Sequence, residues 1–325
     1  MSRATARANA NIALVKYWGK RDPALNLPAA GSISLTLDGL GTETAVRFGE
    51  AERDELRIDG RPAAAGALAR ALRVVDLVRT RAGLTAPVSI ESRNDFPTGA
   101  GLASSASGLA ALTVAAAHAA GLELPSAELS AIARRGSGSA CRSVFGGYVE
   151  WLPGRADDGS DSHGVPLHPP EHWDLRCVVA LVEEGPKPVG SSRGMLHTAA
   201  TSPYHRAFVE TSAADLDEAR AAIGGRDLER LARVAERSCL RMHGDMMAAD
   251  PALVYLTPAS WEVIEAARQL RAGGLGVFFT VDAGPNVKLF CEPTVEAAVE
   301  QAARSLPGVR RVILARPGDG ARVVR

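Results

Sequence analysis

A glycine-rich turn that runs into a helix without Asp, Glu, Lys or Arg is the strongest constraint on how this chain folds. Residues 96–107 read FPTGAGLASSAS, and mostly apolar residues continue to residue 120. Glycine lets a backbone approach a bulky anion, and the first N–H groups and the dipole of a helix attract negative charge. This segment alone is equally consistent with a phosphate site and with a capped helix after a tight turn. It is not a Walker A loop, because no Gly-Lys-Ser/Thr follows the glycines.

Apolar spacing and turn residues predict an α+β protein with two domains. The helix over 103–120, ended by Gly121, lacks charge and is expected at the centre of its domain. Other helices are expected at 63–81, 126–135, 203–223, 227–247, 260–271 and 295–305. Strands are expected at 43–48, 55–58, 88–91, 175–182, 276–281, 287–290 and 310–314. Interleaved helices and strands in both halves indicate domains over 1–170 and 171–325, with the polar segment 153–164 as a loop or boundary.

Two local details follow from the same patterns. Segments 43–48 and 55–58 are expected to be strands of a hairpin or meander, with Asp59-Gly60 as a turn. Ser126 is expected to cap the helix over 126–135.

The charge balance argues against a nucleic-acid or membrane partner. Lys plus Arg and Asp plus Glu total 37 each, so the chain has no global basic field. No apolar run has the length of a membrane span, and no apolar leader segment is expected. The cysteines are far apart in sequence, so they form no zinc ribbon or CxxC motif. Reduced core thiols in a cytoplasmic protein are favoured over disulfides for all four, namely Cys141, Cys177, Cys239 and Cys291.

Three further segments are richer in polar and glycine residues than a structural role requires. Residues 8–22 place Lys16 and Lys20 in an apolar strand, four positions apart and so on one face; the alternative is a solvated face. Residues 134–143 alternate serine with glycine beside Arg142, which suits an anion nest, or a flexible loop. Asp282 ends an apolar strand at a Gly-Pro turn. It is interpreted either as a buried catalytic carboxylate or as a residue that caps the loop in an Asx-turn, and the pattern favours neither.

Together these segments indicate phosphoryl transfer. Two phosphate nests, several lysines and one strand-end carboxylate suit a reaction that depends on positioning and charge neutralisation. Mg²⁺ is expected with it, because Mg²⁺ bridges nucleotide phosphates while it keeps several waters.

The same residues resemble the mevalonate diphosphate decarboxylases, a branch of the GHMP kinase superfamily. The matching blocks lie in order along most of the chain: VKYWGKRD with NLP (15–22, 26–28), FPTGAGLASSASG (96–108), ARRGSGSACRSVFGGYVEW (133–151), SSRGM (191–195) and DAGPN (282–286). The resemblance implies a GHMP kinase fold, with an N-terminal domain like ribosomal protein S5 domain 2 and a ferredoxin-like C-terminal domain. It also implies a homodimer, and the conversion of 5-diphosphomevalonate and ATP into isopentenyl diphosphate, ADP, phosphate and carbon dioxide.

The resemblance further implies a role for single residues. Asp282 matches the aspartate that engages the 3-hydroxyl of the substrate, Lys16 a lysine near the reacting groups, and Ser192 a hydroxyl near the transferring phosphate. Arg142 matches the arginine that holds the substrate carboxylate. The other substrate-binding positions are Tyr17, Trp18, Lys20, Ser137, Gly138, Ser139 and Arg193. The ATP loop comprises Pro97, Gly99, Ala100, Gly101, Leu102, Ala103, Ser104, Ser105 and Ser107, with Ser105 also expected at the metal.

One departure from the family pattern affects the expected substrate contacts. After Asn26-Leu27-Pro28 the family usually has Thr-Asn-Ser-Ser or Met-Asn-Ser-Ser, whereas this chain has Ala29-Ala30-Gly31-Ser32. Relatives that decarboxylate 5-phosphomevalonate, or that only phosphorylate the 3-hydroxyl of mevalonate, share the scaffold and remain alternatives. A non-catalytic phosphate-binding or RNA-associated protein is a third alternative, which the neutral charge disfavours.

Overall fold

The computed structural model describes residues 3–96, 104–185 and 187–324. In chain order its strands are β1 (Arg3–Val15), β2 (Lys20–Asp22), β3 (Leu27–Pro28), β4 (Ser32–Phe48), β5 (Glu55–Ile58), β6 (Arg61–Pro62), β7 (Val88–Asn94), β8 (Tyr148–Trp151), β9 (Gly164–His168), β10 (Arg176–Leu181), β11 (Val277–Val281), β12 (Val287–Cys291), β13 (Arg311–Pro317) and β14 (Arg322–Val323). Its helices are α1 (Ala65–Ala82), α2 (Ser104–Ala119), α3 (Ser126–Gly136), α4 (Ala140–Ser143), α5 (Ser191–Thr201), α6 (His205–Gly225), α7 (Leu228–Met247), α8 (Pro258–Ala272) and α9 (Glu296–Ser305).

Two long antiparallel strands, β1 and β4, carry the first half of the fold. They pair from Arg3 opposite Arg47 to Val15 opposite Ile33, with irregularities after Asn9 and after Ala13. At the first irregularity, three extra residues of β4 (Asp38, Gly39 and Leu40) lie opposite the single step from Asn9 to Ala10, which interrupts the regular alternation of the two faces. Ala8 accordingly packs with the helices α1 and α2, whereas Ala10 packs with α6 and α7. The strand therefore contributes to two cores.

Helix α2 is the centre of the first half, as its lack of charge predicts. Most of its residues are buried, and they pack against β1, β4 and the neighbouring helices. The predicted helix over 103–120 is confirmed within the described residues, and Gly121 follows it with a φ of 73°. Such a left-handed residue is a common way to end a helix.

The second half contains a four-stranded antiparallel sheet in the order β11-β12-β10-β13. Helices α8 and α9 cover one face, and α6 and α7 pack against the other. Helices separate β10 from β11 and β12 from β13, whereas β11 and β12 follow each other directly. This arrangement is that of the ferredoxin-like βαββαβ unit. Strand β13 also pairs with β4 through Arg316 and Pro317, so one sheet extends through both halves. The predicted α+β class is confirmed, and the domain boundary at residue 170 stays a prediction.

Several local predictions are wrong, each for a physical reason. The segments 43–48 and 55–58 do not pair with each other, because β7 lies between β4 and β5 in the sheet. The turn at Asp59-Gly60 is confirmed; it joins β5 to β6. Ser126 is the first residue of α3 and not its cap, since the N-cap position is Pro125 and no side chain bonds there. Helix α5 lies in a segment for which no helix was expected.

Other details agree with the sequence. The polar segment 153–164 connects the antiparallel pair β8 and β9, so it is the loop of a hairpin. The four cysteines are free and buried. Among the described residues, no helix is both long enough and apolar enough to cross a bilayer.

Candidate active site

The ends of strands β1 and β11 bring a lysine and a carboxylate together. Lys16, the first residue after β1, places its Nζ 2.6 Å from Oδ1 of Asp282, the first residue after β11. Lys288 on β12 reaches Oδ2 of the same carboxylate at 3.4 Å. The side chain of Lys16 is only 1% exposed, so the solvated-face alternative is wrong. The apolar strand expected over 8–22 in fact ends at Val15.

Asp282 is a true carboxylate in this environment. Burial alone would raise the pKa of Asp282, but the charges of Lys16 and Lys288, and their hydrogen bonds, hold it well below its usual range. About a quarter of the side chain (27%) remains exposed, so the ionised group is open to a ligand. The Asx-turn alternative does not describe it, because its described side-chain partners are lysines.

Arg142 is a buried cation that only neutral groups surround. Its guanidinium donates to Asn11 Oδ1 from Nε and Nη2 (3.1 and 3.0 Å), to Ser34 Oγ (2.8 Å) and to Ser32 Oγ (2.6 Å). The residue is 2% exposed, and no carboxylate among the described residues forms a salt bridge with it. Burial lowers the pKa of Arg142, while the nearby Cys141 and Asp282 raise it. A buried charge without a counter-ion is costly, so this position suits an anionic ligand.

The serine-glycine nest lies beneath two aromatic rings. A Cβ on Gly138 would lie 2.7 Å from Trp151 and 2.9 Å from the Tyr17 hydroxyl, so only glycine fits there. Tyr17 and Trp151 meet edge to face at 4.6 Å between centroids. Ser137 and Ser139 bring their hydroxyls within 3.4 Å of each other.

The Tyr17 hydroxyl is buried and has no hydrogen-bond partner among the described residues. Burial raises the pKa of Tyr17, so the group stays a neutral donor.

A second group of cations surrounds the start of helix α5. Lys20 donates to Asn26 Oδ1 at 2.6 Å and to Ser192 Oγ at 3.3 Å. Arg193 follows Ser192 in the first turn of α5, and its side chain is exposed. Burial and the nearby charge of Arg73 lower the pKa of Lys20. This surplus of positive charge suits a ligand with several negative charges.

Lys187 is a site residue that the sequence analysis did not identify. Its Nζ donates to the Ala283 carbonyl at 2.6 Å and to Ser191 Oγ at 2.8 Å, which ties the segment before α5 to the turn after Asp282. Burial lowers the pKa of Lys187 to about 8, and the nearby Asp282 opposes this shift. Lys187 therefore loses its charge close to neutral pH.

Much of the predicted ATP loop lies outside the described residues, namely Pro97, Gly99, Ala100, Gly101, Leu102 and Ala103. Ser104 and Ser105 occupy the first turn of α2, and Ser105 is exposed. Ser107 is buried, and its hydroxyl lies 2.6 Å from that of Thr42. Within residues 3–96, 104–185 and 187–324, no three His, Cys, Asp or Glu side chains group as a metal site would require.

Trp18 is part of a buried apolar cluster next to the site. It is 2% exposed and packs in an apolar cluster with Met195, Met242, Tyr255 and Ala283, among others. Gly194 of α5 comes so close to this ring that a Cβ would lie 3.1 Å from it. Because Trp18 is so deeply buried, it has little surface with which to contact a substrate, although the resemblance implies that it is a substrate-binding residue.

The departure at Ala29-Ala30-Gly31-Ser32 leaves the contact with Arg142 intact. Ser32 supplies the shortest of the Arg142 hydrogen bonds. A Cβ on Gly31 would lie 3.0 Å from the Trp151 carbonyl and from Leu216, so a larger residue there needs a different local backbone or packing.

Sequence signals for the missed residues were weak but present. Lys288 is a lone lysine within the apolar run VKLFC, and Asn11 is polar within the apolar part of β1. A charged or amide side chain at a buried strand position requires a partner, which is the signal that points to a site. The residues next to Ser34 and Lys187 in the sequence form no pattern that indicates a site.

Two protein families together describe most of the chain. The family of the diphosphomevalonate decarboxylase-like N-terminal domain matches residues 8–164. The family of the mevalonate 5-diphosphate decarboxylase C-terminal domain matches residues 177–323.

Individual relatives are similar over nearly the whole length. A diphosphomevalonate decarboxylase from Candida albicans is 38% identical over 306 residues, which cover 89% of this chain and 84% of that protein. The solved mevalonate diphosphate decarboxylase from Staphylococcus aureus is 37% identical with a TM-score of 0.94, covering 100% of this chain and 98% of that one. A further structure, described as MDDEF in complex with MVAPP, AMPPCP and magnesium, is 38% identical with a TM-score of 0.92, covering 100% and 99%.

Proposed function

Because this chain belongs to the diphosphomevalonate decarboxylase family and has its GHMP kinase fold, we propose that it decarboxylates (R)-5-diphosphomevalonate at the expense of ATP. The products are isopentenyl diphosphate, ADP, phosphate and carbon dioxide, a step of isoprenoid synthesis. The observation that carries the proposal is one carboxylate, Asp282, held by the buried Lys16 and Lys288 near a buried arginine that has no acidic partner. These groups match a substrate that bears a hydroxyl and a carboxylate on neighbouring carbons.

Arg142 would bind the substrate carboxylate. The guanidinium is already fixed by Asn11, Ser32 and Ser34, so little side-chain entropy is lost when a ligand arrives. Its contribution is mainly orientation, because a grip that tightened in the transition state would slow the loss of the carboxylate as carbon dioxide.

Asp282 would orient the 3-hydroxyl and stabilise positive charge. A carboxylate whose pKa lies so far below neutral is a poor proton acceptor, which argues against full deprotonation of the hydroxyl before attack. Once the hydroxyl carries phosphate, that phosphate leaves and positive charge develops at C3. The fixed negative charge of Asp282 stabilises this centre until carbon dioxide departs and the double bond forms.

The cations around α5 favour a diphosphate over a monophosphate. Lys20 and Arg193, with the serine-glycine nest of Ser137, Gly138 and Ser139, would hold the diphosphate, and the nearby Arg73 adds positive charge. Tyr17 would donate its unpaired hydroxyl to the same group. Lys187 would lie closer to the transferred phosphate, because it bonds the Ala283 carbonyl in the turn after Asp282. Ser192 would lie near the same phosphate, because it follows Ser191, which Lys187 also bonds.

ATP and Mg²⁺ are the expected co-substrate and metal. The relative that binds MVAPP, AMPPCP and magnesium supports both. Mg²⁺ bound to nucleotide phosphates needs few protein ligands, which fits the lack of an acidic cluster among the described residues and leaves the exposed Ser105 hydroxyl as a ligand. When bound, Mg²⁺ would neutralise phosphate charge. We also expect a homodimer, which light scattering after size-exclusion chromatography tests. The expected location is the cytoplasm.

A side-by-side turnover assay tests the function. Mevalonate, its 5-phosphate and its 5-diphosphate are each incubated with enzyme, ATP and Mg²⁺, and ADP and carbon dioxide are both measured. We expect equal release of ADP and carbon dioxide, fastest with the 5-diphosphate. ADP without carbon dioxide would identify a kinase, and a preference for the 5-phosphate would identify a monophosphate decarboxylase.

A further inference from the structure

Helix α7 lies along the outer edge of strand β11 and takes the place of a neighbouring strand there. Among the described residues, β12 is the only strand that pairs with β11. The N–H groups on the other edge bond side chains of α7: Phe279 N–H donates to Glu236 Oε1 at 3.2 Å, and Val281 N–H to Cys239 Sγ at 3.2 Å. An unpaired edge group that is buried must find a partner, and here a helix provides it.

His243 completes this set of contacts at the residue before Asp282. Its Nε2 lies 3.3 Å from the Val281 carbonyl, which can only accept, so Nε2 carries the proton. Glu236, Cys239 and His243 are spaced three and four residues apart, and so form one stripe along the helix. The last peptide of β11, from which Asp282 projects, is thus fixed by side chains of α7.

His243 is also suited to stay neutral. The residue is 2% exposed, and burial, together with the charge of Lys16, lowers its pKa to about 4. A neutral donor holds the carbonyl without adding a third full positive charge beside the Asp282 carboxylate, which already has Lys16 and Lys288.

The same helix fixes the other member of the ion pair. Ser238, which precedes Cys239, accepts a hydrogen bond from the backbone N–H of Lys16 at 2.9 Å, and both groups are buried. One six-residue stretch of α7, residues 238 to 243, therefore contacts the main chain at Lys16 through Ser238 and the main chain next to Asp282 through His243. The strands that precede these two positions, β1 and β11, lie far apart in the sequence.

We propose that His243 is a positioning residue, which with Ser238 sets the separation of Lys16 and Asp282 from a single helix; this inference rests on the proposed function. A carboxylate displaced by about 1 Å from its reacting partner loses on the order of a hundredfold in rate. Without the His243 donor, the Val281 carbonyl keeps only its longer contact with Cys239 Sγ at 3.5 Å. We expect this weaker contact to let the Val281 peptide shift, and Asp282 to shift with it. Substrate anchoring through Arg142 and Lys20 does not depend on this contact.

The test compares two substitutions of His243. His243→Leu keeps the volume but removes the donor, whereas His243→Gln places an amide N–H where Nε2 lies. We expect His243→Leu to lower kcat by about tenfold or more with KM for diphosphomevalonate changed less than about twofold, and His243→Gln to restore most of kcat. If His243→Leu keeps most of the wild-type kcat, or if His243→Gln is as slow as His243→Leu, the proposal is wrong.

A matched control separates positioning from loss of packing. His172 also bonds a backbone carbonyl through Nε2, that of Ile223 at 2.8 Å, but on helix α6 and away from β11. His172→Leu should lower the melting temperature without a change in kcat. A parallel loss of kcat there would show that weakened packing alone explains the effect, and would overturn the proposal.

A measurement without turnover distinguishes this proposal from the proposed function. The carboxyl carbon of Asp282 is observed by ¹³C NMR at neutral pH, with its resonance assigned by Asp282→Asn. If His243 positions the carboxylate against Lys16 and Lys288, His243→Leu or Ser238→Ala shifts this resonance, whereas His172→Leu does not. An unchanged chemical shift in folded variants overturns the positioning role, whether or not the wild-type protein turns over diphosphomevalonate. Ser238→Ala serves if His243→Leu does not fold.

Discussion

Lys16 Nζ lies 2.6 Å from Asp282 Oδ1, although 266 positions separate the two residues in the sequence. One follows the first strand of the fold, and the other follows the edge strand of the second-half sheet. Their contact joins the halves of the protein at the point where we propose that the chemistry occurs. The pair also affects the ionisation of the carboxylate, because burial raises the pKa of Asp282 whereas the charges of Lys16 and Lys288 lower it.

Asp282→Asn tests the central role of this carboxylate. The amide keeps the shape but loses the negative charge that stabilises the developing cation, so kcat should fall by roughly a thousandfold or more while KM stays within a few-fold. Steady-state kinetics with diphosphomevalonate and ATP provide the measurement. Asp217→Asn, at an exposed position on α6, is the control and should change neither kcat nor KM. A variant of Asp282 that kept most of its turnover would contradict the role.

Arg193→Ala tests the phosphate anchor. Arg193 is exposed at the start of α5, so its removal should weaken substrate binding with little effect on folding. We expect KM for diphosphomevalonate to rise by about tenfold or more, and kcat to fall less. Arg206→Ala removes an exposed arginine near the start of the next helix and should change neither constant. An unchanged KM in Arg193→Ala would argue for a different anchor.

Gly138→Ala tests the packing of the serine-glycine nest. The added methyl would meet Trp151 at 2.7 Å and Tyr17 at 2.9 Å, so these rings or the nest must move. Such a displacement of binding groups should lower kcat/KM by about tenfold or more. Gly66→Ala is the matched control, since a Cβ there has no heavy atom within 4 Å and the residue lies in helix α1. That control should leave kcat/KM unchanged and stabilise the protein by up to about 1 kcal/mol.

Lys187 predicts an alkaline limit to activity. Because burial lowers its pKa to about 8, Lys187 loses its charge as pH rises through that value, and its interaction with phosphate weakens. The profile of kcat/KM against pH should therefore fall above about pH 8. Lys187→Arg keeps its charge beyond pH 12, so the fall should move to higher pH or disappear. A limb that stays in place in this variant would assign the titration to another group.

His243 predicts a dependence of stability on pH. Its pKa is about 4 in the folded protein but near 6.5 when unfolded, so between these values the unfolded chain binds the extra proton. Stability is therefore fully present above pH 6.5 and decreases as the pH falls toward 4. Relative to His243→Gln, which does not titrate, the wild type should lose about 2 kcal/mol of unfolding free energy from pH 7 to pH 5. Urea unfolding at the two pH values measures this, and equal losses in both proteins would rule it out.

The sequence identified the charged residues at the centre of the candidate site better than it identified their surroundings. Lys16, Arg142 and Asp282 stand in distinctive motifs, and each motif has a physical reason that can be read locally. Lys288 is harder to identify, because a lone lysine in a short apolar strand is only a weak signal of a site. Its relation to Asp282 depends on the register of β11 with β12, which places Lys288 opposite Thr280. Register is a property of the folded sheet.

Tertiary contacts also explain the secondary-structure errors. Helix α5 begins SSRGM, with serines and a glycine that have low helix propensity. It forms where Gly194 and Met195 pack against Trp18, a contact that a local pattern does not reveal. Segments 43–48 and 55–58 were paired because they are neighbours in sequence, whereas β7 arrives later in the chain and inserts between them.

The burial of Arg142 has a consequence for ligand affinity. Among the described residues its guanidinium donates hydrogen bonds only to one amide and two hydroxyls, and burial of a charge without an adjacent counter-ion carries a desolvation cost. A carboxylate that pairs with the guanidinium would offset part of this cost. Part of the affinity for such a ligand is therefore determined when the chain folds, before any ligand arrives.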